Sequence, residues 1–66
     1  MFVRVDVETN PGMVLSKYIN FNHVQSMYED VLYNGKKVNC LEFTDGNRIY
    51  MVKKPEEVLA DMIRSV

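Results

Sequence analysis

Valines alternate with other residues from Phe2 to Val7. Val3, Val5 and Val7 fall on one side of an extended chain, and Phe2, Arg4 and Asp6 on the other. That spacing predicts a half-buried strand with a valine face. Asn10-Pro11-Gly12 is a turn signal, and Met13 to Ile19 reads as a second strand. Asn20 to His23 reads as a short bend, followed by a third strand from about Val24 through Tyr33, with a break near Glu29-Asp30. Asn34-Gly35 and Asp45-Gly46 are the strongest short hairpin signals, because tight turns of type I′ need positive φ at both central residues.

Taken as two-residue loops, these turns set registers. Tyr33 then faces Lys36 and Val31 faces Val38; Phe43 faces Arg48, Leu41 faces Tyr50, and Asn39 faces Val52. Opposed residues share a sheet face. Leu41, Phe43, Tyr50 and Val52 form the expected core face; Cys40, Glu42, Ile49 and Met51 form the other. A helix starts at Pro55, where a missing N–H costs nothing, with Glu56 and Glu57 in the first turn suiting the helix dipole. Val58, Leu59, Met62, Ile63 and Val66 make one apolar stripe at helical period, so Leu59 and Ile63 are expected to be buried. The expected architecture is α+β: a small antiparallel sheet or partly closed barrel of about five strands, with one C-terminal amphipathic helix packed on one face.

Length sharpens this picture. The chain of 66 residues is read as a single domain, 1–66, and one so short has a marginal core. Such domains often need a staple. Cys40 is the only cysteine, which excludes an internal disulfide and fits a reducing, cytoplasmic setting. The only histidine, His23, lies 17 positions from Cys40, unlike the clustered ligands of a structural zinc site. No cofactor is expected, and the apolar runs are too short for membrane insertion. Self-association is the remaining staple.

The candidate chemistry is sparse. His23 lacks an evident nucleophile or orienting acid and reads as a surface or capping residue. Cys40, mid-strand, reads as a small buried hydrophobe. Glu29 and Asp30, adjacent in a strand, point to opposite faces, and Glu56-Glu57 answer the helix dipole. An enzyme is the least favoured class. Lys36-Lys37, Lys53-Lys54 and Arg48, interleaved with Tyr33, Phe43 and Tyr50, have the mixture of cations and rings used by small nucleic-acid-binding β domains. A net charge of −1 and the placing of the lysines at turns make nucleic acid the runner-up only.

Tyr18-Ile19-Asn20, followed by Val24, Met27 and Glu29, resembles the strand–bend–strand opening of the small flagellar-operon FlbD family, also called SwrD. Phe43-Thr44-Asp45-Gly46, Tyr50-Met51-Val52-Lys53, and Glu56-Glu57-Val58 leading to Met62-Ile63 match its later hairpin, strand end and helix start. The chain departs from the family pattern between Asp30 and Asn39, where the Asn34-Gly35 hairpin looks like an insertion. The resemblance implies a motility accessory protein that acts through protein contacts and has no catalytic residues. The residues themselves point to a protein–protein interaction module that forms a homo-oligomer and also binds an unknown protein. One helix covers one sheet face, so Val38, Cys40, Ile49 and Met51, on the expected far face, are the candidate contact residues.

Overall fold

A computed structural model describes residues 1–10 and 12–64. Pro11 of the first turn and Val66 of the helix stripe lie outside the described residues. Five strands and one helix follow in chain order: β1 (Phe2–Asn10), β2 (Met13–Asn20), β3 (Val24–Val31), β4 (Lys37–Phe43), β5 (Arg48–Met51) and α1 (Pro55–Arg64). A 3-10 turn over Phe21–His23 joins β2 to β3, and the Asn20 side chain caps it by accepting from the Asn22 N–H at 3.1 Å. The strands form one antiparallel sheet in the order β2-β1-β5-β4-β3. It is not closed into a barrel: β2 and β3 are its two edges.

The β3–β4 and β4–β5 hairpins use the same loop, which differs from the expected one. Gly46 donates to the Phe43 carbonyl at 3.0 Å while Phe43 donates to the Asn47 carbonyl at 2.8 Å. Gly35 donates to Leu32 at 2.8 Å, and Leu32 to Lys36 at 2.9 Å. Each loop therefore has three residues, a turn followed by a glycine at φ +84° (Gly35) or +91° (Gly46). The preceding Asn34 and Asp45 side chains brace it by accepting from the N–H of Lys36 and Asn47, at 3.0 and 2.9 Å.

The extra residue moves the pairing by one. Leu41 faces Ile49, Cys40 faces Tyr50, and Asn39 faces Met51; in the other hairpin Val31 faces Lys37 and Asp30 faces Val38. A one-residue slip moves every side chain of a strand to the opposite face. Ile49 and Met51 therefore join Leu41 and Phe43 on the helix side, while Tyr50 turns to the other side. This corrects the expected far-face position of Ile49 and Met51. Glu29-Asp30 does not break β3; the irregularity is a bulge between Val24 and Ser26.

The core lies between the sheet and α1. Val5, Val7, Ile19, Leu41, Met51 and Val58 are buried there, with Val3, Val24, Met27, Phe43, Ile49 and Met62 packed around them. The valine face of β1 is as expected. The helix is rotated relative to expectation: Val58 is buried, but Leu59 and Ile63 are 48% and 75% exposed. Lys53 ties α1 down through Asp61 at 2.7 Å. That ammonium holds the Asp61 carboxyl below its ordinary range.

β1 meets β5 only near Val7 and Glu8, so the long β1–β2 hairpin overhangs the rest of the sheet. The radius of gyration, 11.7 Å, exceeds the roughly 10.8 Å of a compact chain this long, and one dimension reaches 38 Å.

Substitutions at three positions test this account. Leu41 is fully buried, so Leu41→Ala should cost about 2–5 kcal/mol, whereas Leu59→Ala should cost less than about 1 kcal/mol. Thermal melts distinguish them, at roughly 4–8 °C per kcal/mol; equal losses would mean that α1 docks by its Leu59 side. A Cβ at Gly46 meets no atom within 4 Å, so only its backbone angle resists substitution. Gly46→Val should therefore lower the melting temperature and Gly46→Asn should retain most of it.

Candidate interaction surface

The four candidate contact residues are not brought together. Ile49 and Met51 point into the core, and Met51 is buried. Val38 and Cys40 occupy the face opposite α1, yet both are buried, Cys40 to 1% exposure. The cover comes from the sheet itself. Cys40 is opposed by Tyr28 on β3 and by Tyr50 on β5, so a small side chain sits between two large ones. Arg48 reaches the Tyr28 hydroxyl at 3.4 Å. Burial pushes the Cys40 thiol up, and the Asp30 carboxylate adds to the shift while Arg48 opposes it. A buried, protonated thiol is a poor nucleophile, as expected for a structural cysteine.

The rest of this open face is a polar lattice. Asp6 accepts from the Ser16 hydroxyl at 2.6 Å, Ser16 accepts from Arg4 at 3.3 Å, and Ser26 donates to Glu42 at 3.3 Å. Lys36, just before β4, pairs with Glu8 of β1 at 3.2 Å, reaching past β5. Alternation places Asp6, Glu8, Asp30 and Glu42 on this face beside Arg4, Lys36 and Arg48. Acids thus neutralise the cations around Tyr28 and Tyr50. Lys53, the other paired lysine, precedes α1 and is committed to Asp61 of the helix.

His23 lies in the 3-10 turn, beside a shallow cleft lined by Tyr18, Asn20, Phe43, Asp45 and Asn47. Its carbonyl accepts from the Thr44 N–H at 2.9 Å, tying the β2–β3 connection to the β4–β5 loop. Among the described residues, no three His, Cys, Asp or Glu side chains gather as a metal-ligand set, and no helix is long and apolar enough to cross a membrane.

Exposed apolar side chains concentrate on the β1–β2 hairpin, with Phe2, Val14 and Tyr18 on this same open face and Leu15 on the other. Phe2, Met13, Val14, Leu15 and Tyr18 are all close to half exposed or more, and all belong to the β1–β2 hairpin. Leu59 and Ile63 add a second patch on α1. Sequence alternation missed the hairpin patch because Leu15 and Ile19 share one face with opposite fates. Ile19, beside Val3, is covered by the core, whereas Leu15, near the overhanging tip, is not. Comparison with protein-family models, curated proteins and solved structures finds no match to this chain.

The thiol supplies a test of the open face. At neutral pH Cys40 should react with a disulfide reagent far more slowly in the native protein than in denaturant, and the native rate should rise only above the ordinary thiol range. Its raised folded-state value means that the thiol's stabilising contribution is whole below that range and fades as pH rises through it. Equal rates in native and denatured protein would show that the two tyrosines do not cover it.

Proposed function

We propose that this chain is a small, non-enzymatic protein–protein interaction module that works as a homo-oligomer in the cytoplasm. The observation that carries this reading is the apolar surface of the β1–β2 hairpin, where Phe2, Met13, Val14, Leu15 and Tyr18 remain exposed on a domain with a small core. Exposed apolar side chains gathered in one region mark contact surfaces. Cys40, the lone cysteine, is buried and gives no covalent alternative. The resemblance to the FlbD/SwrD family supports an accessory role in motility, with a second protein as further partner. Flagellar genes beside this one would strengthen that part of the reading, and their absence would weaken it.

The open face favours a second reading through Tyr28, Tyr50 and Arg48, a pair of rings beside a cation as in single-strand nucleic-acid platforms. The neighbouring Asp30, Glu42 and Glu8 argue against it, because a phosphate backbone is repelled by the same surface.

Sedimentation separates the readings. The protein should self-associate at micromolar concentration and should not bind random DNA or RNA near physiological salt. A monomer persisting to hundreds of micromolar, together with salt-sensitive micromolar binding to nucleic acid, would reverse the order.

A further inference from the structure

The two edges of the sheet are unlike. β3 carries a bulge at Val24/Ser26 and the adjacent acids Glu29 and Asp30, which are common devices against edge-to-edge pairing. β2 pairs regularly with β1 from Val14 to Asn20, carries Lys17 as its single charge, and exposes Met13, Val14, Leu15 and Tyr18. Among the described residues no strand pairs with its outer side.

The hydrogen-bond parity of that edge follows from two contacts. Phe21 donates its N–H to the Met1 carbonyl at 2.8 Å, so facing residues Met1 and Phe21 form a hydrogen-bonded pair. Such pairs recur at every second position of an antiparallel ladder. Ile19, Lys17 and Leu15 therefore turn their backbone groups toward β1, and Val14, Ser16 and Tyr18 turn theirs outward. The Val52 N–H reaching the Asp6 carbonyl at 3.0 Å agrees: Asp6, opposite Ser16, bonds away from β2.

We propose that β2 is the self-association site, pairing antiparallel with β2 of a second copy about a two-fold axis at Ser16 to make one continuous sheet. This rests on the homo-oligomer reading and gives it a location. Three features of the strand select this occupant and register. Pairing Ser16 with Ser16 of the copy puts Val14 opposite Tyr18, joins all three outward-facing residues, and makes about six backbone hydrogen bonds. It sets a valine beside an aromatic ring, a favourable cross-strand pair. It also sets Lys17 opposite Leu15, whereas the neighbouring even register places Lys17 directly against Lys17 of the copy. Pairing of β2 with β3 of the next molecule would build an open filament, and the bulge and acids of β3 oppose it. An edge of this length with four large side chains buries on the order of 500 Å² per partner, below the ~800 Å² of a standard interface, so the dimer belongs in the micromolar range.

Four variants test it by sedimentation equilibrium, with circular dichroism as the folding control. Ser16→Pro removes an outward N–H that β1 does not use and should weaken the dimer at least tenfold, while Glu29→Pro, its equivalent on the β3 edge, should leave it unchanged. Leu15→Lys should weaken it at least tenfold by opposing Lys17, whereas Leu15→Glu, also opposite Lys17, should associate as tightly as the parent or tighter. The Leu15 pair decides the matter if Ser16→Pro does not fold. A dimer that survives Ser16→Pro and Leu15→Lys overturns the β2 site while leaving self-association intact. Equal weakening by Leu15→Lys and Leu15→Glu overturns the register. Filaments dispersed by Glu29→Pro overturn the two-fold. A wild type that stays monomeric to hundreds of micromolar overturns the homo-oligomer reading itself.

Discussion

The positive φ of Gly46 is the constraint on which the arrangement of this sheet depends. It lets the β4–β5 loop hold three residues, and that loop length fixes Leu41 opposite Ile49. With a two-residue loop, Tyr50 and Val52 would face the helix, and Ile49 and Met51 would face water. The polar tips of Tyr50 and Arg48 would then sit over β4 on the wrong sides. The loop enforces itself twice, through the glycine's permitted angle and through Asp45, whose carboxylate accepts from the Asn47 N–H. The β3–β4 hairpin repeats the device with Asn34 and Gly35, so the same local rule sets the register on both flanks of β4. Leu41, at the centre of that strand, is the residue both registers converge upon.

A core built this way is narrow. α1 spans ten residues and contributes one fully buried side chain, Val58. The opposite face has no helix; over β3, β4 and β5 tyrosines shield Cys40 and charges pair across the strands, whereas over β1 and β2 it exposes Phe2, Val14 and Tyr18. The sheet face away from a helix need not be a contact surface when its small residues are placed beneath large polar-tipped ones. The unprotected surface is instead where the sheet runs past its cover, at the tip and outer edge of the β1–β2 hairpin.

Much of the fold was legible in the chain. The valine alternation of β1, the extended β2 and β3, and the Pro55 helix start are local properties, and each element formed close to where its pattern lies. The turn positions were legible as well, because Asn-Gly and Asp-Gly each place a glycine where φ is positive. The loop length was not, since those dipeptides serve both two-residue and three-residue hairpins, and the choice between them is made by strand twist and packing. From that single ambiguity came the misplacement of Ile49 and Met51, and with it the scattering of the candidate contact set. The helix failed for a related reason. Val58, Leu59, Met62 and Ile63 span an apolar stripe wider than the contact available to it, and periodicity cannot say which half of a wide stripe meets a small sheet.

The remaining question is how the hairpin keeps its shape. β1 and β2 pair with each other along nearly their whole length, but the pair is held to the rest of the sheet by little more than Val7, Glu8 and the Asp6–Val52 bond, with Val3, Val5 and Ile19 packed beneath α1. Val5, Val7 and Ile19 tie the body of the hairpin to the core, so the part with few long-range contacts is its tip, which belongs to the low-stability end of the domain and frays first. Met13, Val14 and Leu15 are exposed there, so fraying raises the exposure of an already apolar edge. The association proposed at β2 would act on that weakness directly. A partner that binds only the paired, extended form of the hairpin shifts the local equilibrium toward it and stabilises the domain as its concentration rises. Under the β2 proposal, the strand that the monomer supports least well is the one whose order contact would complete, and the bulge and acids of β3 oppose the addition of further chains.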